Sequence, residues 1–207
     1  MQEEKLKQIL AHYVPLPAVN YCLQLWQESP FEFKLRKKRI SKIGDFTCGT
    51  KRKPRITVNN NLNPHLFLMT YVHEVAHLKV HLKHGFKAEA HGAEWKHFFR
   101  QLMVPLMSPE FFPEPLLSGL LAHMQNPMAS SYSDSELTRL FRTWDTDQQT
   151  AVLLSQVPEG SVFQLQGRWF TKGKLRRTRV VCNEVKSRRQ YLVPADIEIG
   201  NVQLPLL

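Results

Sequence analysis

Residues 63 to 85 constrain this chain more than any other stretch, because they specify a long helix and fix what lies on its face. Asn63 is a good N-cap, and Pro64 suits the first helical position, where a missing N–H costs nothing. Leu68, Val72, Val75, Leu78 and Leu82 recur at spacings of three and four, giving one apolar stripe. Gly85 is placed to end the helix. Within this segment stands His73-Glu74-Val75-Ala76-His77. Side chains four apart lie one turn apart on the same face, so both imidazoles can reach one ion at Zn–N distances of roughly 2.0–2.1 Å. Glu74 projects beside them as a carboxylate placed for proton transfer rather than ligation. Upstream, Arg55-Ile56-Thr57-Val58 alternates like a half-buried strand, and Asn59 to Asn61 turn the chain into the helix.

A third ligand follows by elimination. His81 and His84 continue the same face but lie about 12 and 16 Å along the axis from His73, too far for one ion. The chain must break at Gly85, and His91 is the first histidine after the break. His91-Gly92-Ala93-Glu94-Trp95 opens a second apolar-periodic stretch through Phe98, Phe99, Leu102 and Met103. His97 falls about 240° round that helix and should point elsewhere. The expected donors are therefore His73, His77 and His91, with Glu89 and Glu94 as carboxylates able to take the third place instead. Trp95, Phe98 and Phe99 read as packing, and the remaining histidines as structural or solvent-facing.

The strand and Asn turn, the HEVAH helix and the HGAEWKHFF segment together resemble the SprT-like zinc metalloproteases. That family includes bacterial SprT and the eukaryotic Spartan proteases, which act on proteins crosslinked to DNA. The likeness spans residues 15 to 125. It implies an α+β, zincin-like domain in which an active-site helix packs on a small, mostly antiparallel sheet. It also implies Zn2+ on His73, His77 and His91, and Glu74 as the catalytic acid–base. The C-terminal half departs from the bacterial pattern. Cys182 is its only cysteine and no CxxC occurs, so the zinc ribbon usual there is not expected.

Charge is distributed unevenly. The net value of +10 conceals two basic segments. Residues 34 to 56 hold ten lysines and arginines, among them Lys37, Lys38, Arg39, Lys51 and Arg52, against Asp45 alone. Residues 168 to 189 hold nine, among them Arg176, Arg177, Arg179, Arg188 and Arg189, against Glu184 alone. Positive charge confined to patches is the footprint of a phosphate-backbone binder, so DNA contacted through its backbone is an expected partner. No run approaches a membrane span, and Met1-Gln2-Glu3-Glu4 begins with acids rather than a secretory leader. Cys22, Cys48 and Cys182 form no disulfide framework, so a cytoplasmic protein is expected, for which association with the nucleoid is one option.

Two domains are expected. Residues 1–125 form the metalloprotease-like domain; residues 126–148 read as a linker, because Asn126 to Asp134 is small, polar and proline-containing, with a short helix at 135–144. Residues 149–207 form a small basic β-rich domain read as an SH3-like barrel, with strands at 152–154, 162–165, 175–182 and 191–193 separated by Pro158-Glu159-Gly160, Gly167 and Gly173. The expected activity is zinc-dependent hydrolysis of peptide bonds in DNA-associated or DNA-crosslinked proteins. The alternative is a non-proteolytic nucleic-acid-binding or transcription-associated factor whose zinc mainly holds the fold.

Overall fold

The computed structural model describes residues 2–39, 42–49, 52–128, 134–145 and 152–205. They divide into two units, Met1–Thr146 and Asp147–Leu207. In the first, α1 (Gln2–Tyr13) and α2 (Val19–Glu28) precede the strands β1 (Glu32–Arg36), β2 (Gly44–Gly49) and β3 (Arg52–Asn59). Helices α3 (Pro64–His84), α4 (Ala93–Met103), α5 (Leu116–Gln125) and α6 (Ser135–Arg142) follow.

Asn63 caps α3 as its sequence position predicts, accepting from Leu66 N at 2.9 Å. Its amide also donates to Phe141 O and to Asp145 Oδ1, at 2.9 and 2.7 Å, so the cap fastens the end of α6 to the start of α3. That helix is enclosed on nearly every side, with Phe67, Leu68, Tyr71, Val72, Val75, Ala76 and Leu78 inaccessible to solvent. Leu82, counted in the apolar stripe, is instead 57% exposed, because the last turn of α3 has left the core. Gly85, at a positive φ of 64°, then ends the helix.

The strand order is β1-β3-β2, with β1 parallel to β3 and β2 antiparallel to it. This mixed sheet replaces the mostly antiparallel one expected. Alternation marks strands but not their partners, and the link over 37–43 is long enough to cross the end of β3. Asn59 holds that link in place: it donates to Arg39 O and Lys42 O and accepts from Arg39 Nε at 2.8 Å. Pro54 is tolerated in the central strand because it lies where the β2–β3 register slips, between the Thr47 and Gly49 pairs. The short helix expected near 135–144 forms as α6, yet it belongs to the first unit rather than to a linker. Leu137, Leu140 and Phe141 join the same core as α3.

The second unit is one antiparallel sheet of β4 (Val152–Leu153), β5 (Val162–Leu165), β6 (Arg168–Arg176), β7 (Arg179–Glu184), β8 (Gln190–Pro194) and β9 (Glu198–Gln203). Its order is β4-β9-β5-β6-β7-β8, so β4 and β8 remain edges and the described residues form no closed barrel, in place of the SH3-like barrel expected. The strand read at 175–182 is in fact the end of β6, a turn and the start of β7, with Arg177 at a φ of 53° in the turn. Gly173 was expected to separate strands but sits inside β6, where an added Cβ would lie 2.7 Å from Val181 O. Gln166 and Gly167, both at positive φ, form the tight turn from β5 to β6. No helix among the described residues is long and apolar enough to cross a membrane.

Candidate metal centre

His73 and His77 project from α3, and the chain after Gly85 returns to place His91 against them. The three Nε2 atoms converge: His73 to His77 3.2 Å, His73 to His91 3.1 Å, His77 to His91 2.9 Å. Tetrahedral zinc with nitrogen ligands at about 2.05 Å spaces them by about 3.3 Å, so the trio fits such an ion with a slight outward movement. Among the described residues these three histidines form a group that could hold a metal, and Glu89 and Glu94 stay outside it, exposed. Burial lowers the basicity of all three imidazoles. It holds His73 well below the ordinary range, helped by the neighbouring His77, His91 and His123. It pushes His77 down to about 4, with His91 adding, and lowers His91. All three are therefore neutral at pH 7, with lone pairs free for a cation.

His91 reaches the centre in a left-handed conformation, φ 61°. A side chain there costs roughly 1–2 kcal/mol, a strain that cluster geometry rather than local sequence explains. Trp95, one turn into α4, is the surface on which the ligands rest. Its ring lies 4.6, 5.5 and 4.8 Å from those of His73, His77 and His91, and it stacks on Phe99 at 4.8 Å. Packing is the role its periodicity predicts for Trp95; its spacing of four from His91 carried the further signal that it orients the rings.

Glu74 follows His73 in α3; it is 6% exposed, and its carboxylate lies against β2 at Gly44. Burial, with Asp45 adding, pushes its carboxyl up to about 8 against the pull of Arg39, Lys42 and the Phe46 N–H. A divalent cation on the histidines would draw it back down. Gly44 of β2 permits this closeness, since an added Cβ would collide with Glu74 Oε1 and lie 2.7 Å from Thr70 Cγ2. Gly44→Ala should therefore cost about 1–3 kcal/mol by overpacking and displace the carboxylate. Thermal melts and turnover read both effects, and a variant matching the parent in each would refute the close approach. Neither Gly44 nor the Asn59 clasp was legible in advance, because both act through contacts between segments distant in sequence.

Of the basic residues singled out, Lys37 and Lys38 are exposed in the link from β1 to β2, and Arg52 opens β3. Arg39 turns inward to Asn59, and Lys51 lies outside the described residues. In the second unit, Arg176, Arg177 and Arg179 gather at one end of β7, and Arg188 and Arg189 at the other; all five are exposed. About 17 Å of strand separates the two groups. Arg177 and Arg188 both sit at positive φ, 53° and 58°, where turn geometry favours glycine or asparagine. No family model, curated protein or solved structure matches the chain.

Proposed function

We propose that this protein is a zinc-dependent endopeptidase acting on proteins associated with nucleic acid. One observation carries the reading: a buried carboxylate, Glu74, on the helix turn that supplies two of three converging neutral imidazoles. An ion that only holds a fold needs ligands but no base next to it. Three nitrogen donors suit zinc and leave a corner for solvent or substrate. Zinc bound there would supply a Lewis acid and lower the pKa of its water towards 7. Glu74 accepts the proton of the attacking water and returns it to the leaving amine nitrogen. The likeness of the HEVAH and HGAEW segments to SprT-like metalloproteases supports the same chemistry. The test is to incubate zinc-loaded protein with a basic DNA-binding protein, with and without single-stranded DNA, beside a Glu74→Gln control. Cleavage confined to the parent supports the reading, and equal cleavage by both excludes it.

The exposed arginines of the second unit support the choice of substrate class, because a nucleic-acid tether would concentrate poor protein substrates at the centre. Binding governed by phosphates releases counterions, so affinity should fall steeply with salt, by roughly 0.7–0.9 in log–log slope per contact. Replacing Arg176, Arg177 and Arg179 by glutamine should reduce that slope by about two to three units. Fluorescence titrations at several salt concentrations decide the matter. Binding that ignores salt, or a slope unchanged by the triple replacement, would remove these arginines from the interface.

A further inference from the structure

One turn beyond His77 along α3, His81 meets two aromatic rings. The His81 ring lies 5.8 Å from that of Phe46 on β2 and 4.7 Å from that of Phe86, just after the helix-ending Gly85. Phe86 is 72% exposed, although the first unit encloses Phe31, Phe67, Phe99, Phe112 and Phe141. Leaving a phenylalanine in water forgoes the stabilisation its burial would bring, so folding does not account for Phe86.

These rings border the outer edge of β2. Among the described residues β2 pairs with β3 alone, and Asn59 N donates to Ile43 O at 2.8 Å. Antiparallel alternation then turns the backbone groups of Ile43, Asp45 and Thr47 towards β3 and those of Gly44 and Phe46 away from it; the Phe46 N–H meets the Glu74 carboxylate, which leaves the Gly44 groups and the Phe46 carbonyl to pair with a peptide. The strand runs in the direction of α3: Gly44 abuts Thr70 and Glu74, whereas Phe46 reaches His81. A peptide laid antiparallel along this edge, with its scissile bond at the histidine trio, carries its N-terminal side across Phe46, His81 and Phe86.

We infer that Phe46, His81 and Phe86 form a subsite for an aromatic or large aliphatic side chain on the acyl side of the scissile bond. The inference rests on the endopeptidase reading and on the outward edge of β2. It makes the enzyme selective for one apolar side chain in an otherwise unrestricted extended segment, because backbone pairing along an edge ignores side-chain identity.

The test begins with cleavage sites in an unfolded protein substrate, mapped by mass spectrometry for the zinc-loaded parent and for Phe86→Ala. Phe86 is exposed, so its loss should leave folding and metal binding intact. The expected result is enrichment of Phe, Tyr, Leu or Met within the few residues before the cut, lost in the variant. For a peptide carrying Phe there, kcat/KM should fall roughly tenfold, mainly through KM, while its Gly counterpart is unaffected. A second readout needs no turnover: calorimetry of the same Phe peptide with Glu74→Gln, and with Glu74→Gln plus Phe86→Ala, should show weaker binding in the double variant. Cleavage without acyl-side enrichment, enrichment on the leaving side, or enrichment that survives Phe86→Ala each overturns the subsite and leaves the peptidase standing. If nothing is cleaved, the peptidase reading fails, and the binding pair still decides the subsite, with equal affinities overturning it.

Discussion

Replacing Glu74 by glutamine should cut turnover by orders of magnitude and, in the metal-free protein, raise stability at pH 7. The two effects have one origin. The carboxyl is buried, and its folded-state pKa is pushed up to about 8 from an ordinary 4.5. The folded chain thus holds a proton that the unfolded chain releases above pH 4.5. The stability this group contributes is complete below about pH 4.5 and is lost as pH rises towards about 8. At pH 7 the accumulated cost is about 3 kcal/mol, which an uncharged amide of the same shape avoids. For a unit of this size that corresponds to a rise in melting temperature of roughly 6–12 °C, shrinking to nothing near pH 4.5. The amide oxygen of the Glu74→Gln side chain can still accept the Phe46 N–H that Glu74 takes, and the replacement leaves the three histidines untouched. Catalysis should fall by about 100- to 10,000-fold, the usual contribution of a positioned general base. Melts of both proteins with chelator from pH 4.5 to 8, and turnover of the zinc-loaded forms, test the pair of claims. A stability difference independent of pH would mean that Glu74 is not the buried acid described, and undiminished cleavage would mean that it is not the base.

How much of this could be read from the chain depended on how local each feature is. The capped helix, the paired histidines and Gly85 were legible because capping, spacing and helix termination are short-range properties. His91 was found by elimination, and the alternatives at Glu89 and Glu94 gave way only once the chain was seen to turn back with His91 at a φ of 61°. The parallel pairing of β1 with β3 was not legible, since it depends on Asn59 gathering a link some twenty residues away in sequence. In the second unit, Gly173 misled because glycine inside a strand and glycine between strands look alike; only the approach of Val181 O distinguishes them. The linker assignment failed for a related reason. A polar, proline-containing stretch after α5 suggested a boundary, but Asn63 and Asp134 fasten α6 to the first unit, the latter through a 2.9 Å contact with the buried His123.

Replacing His91 by glycine should strip the centre of its metal while leaving the metal-free fold as stable as the parent, a combination that few ligand deletions produce. His91 alone of the three ligands sits at positive φ, where an L side chain is strained by roughly 1–2 kcal/mol. Glycine relieves that strain at an entropic cost of about 0.5–1 kcal/mol in the unfolded chain. His91→Ala keeps the strain and loses the imidazole, so with chelator it should melt below His91→Gly. Loss of one nitrogen donor of three should weaken zinc by more than about 100-fold, beyond the range seen when only the partner of a ligand is removed. Zinc should then raise the melting temperature of the parent, by about 4 kcal/mol of stabilisation at a thousandfold excess over its dissociation constant, and leave both variants nearly unmoved. The parent's response should persist through pH 6.5, where a free imidazole protonates, and fade only as pH falls towards about 4, where protons compete for His77. Differential scanning fluorimetry with and without zinc separates these expectations. Retained zinc stabilisation in His91→Gly would place the third donor elsewhere, and a glycine variant that melts below the alanine one would show that the backbone at 91 is not held in the left-handed region by the cluster it completes.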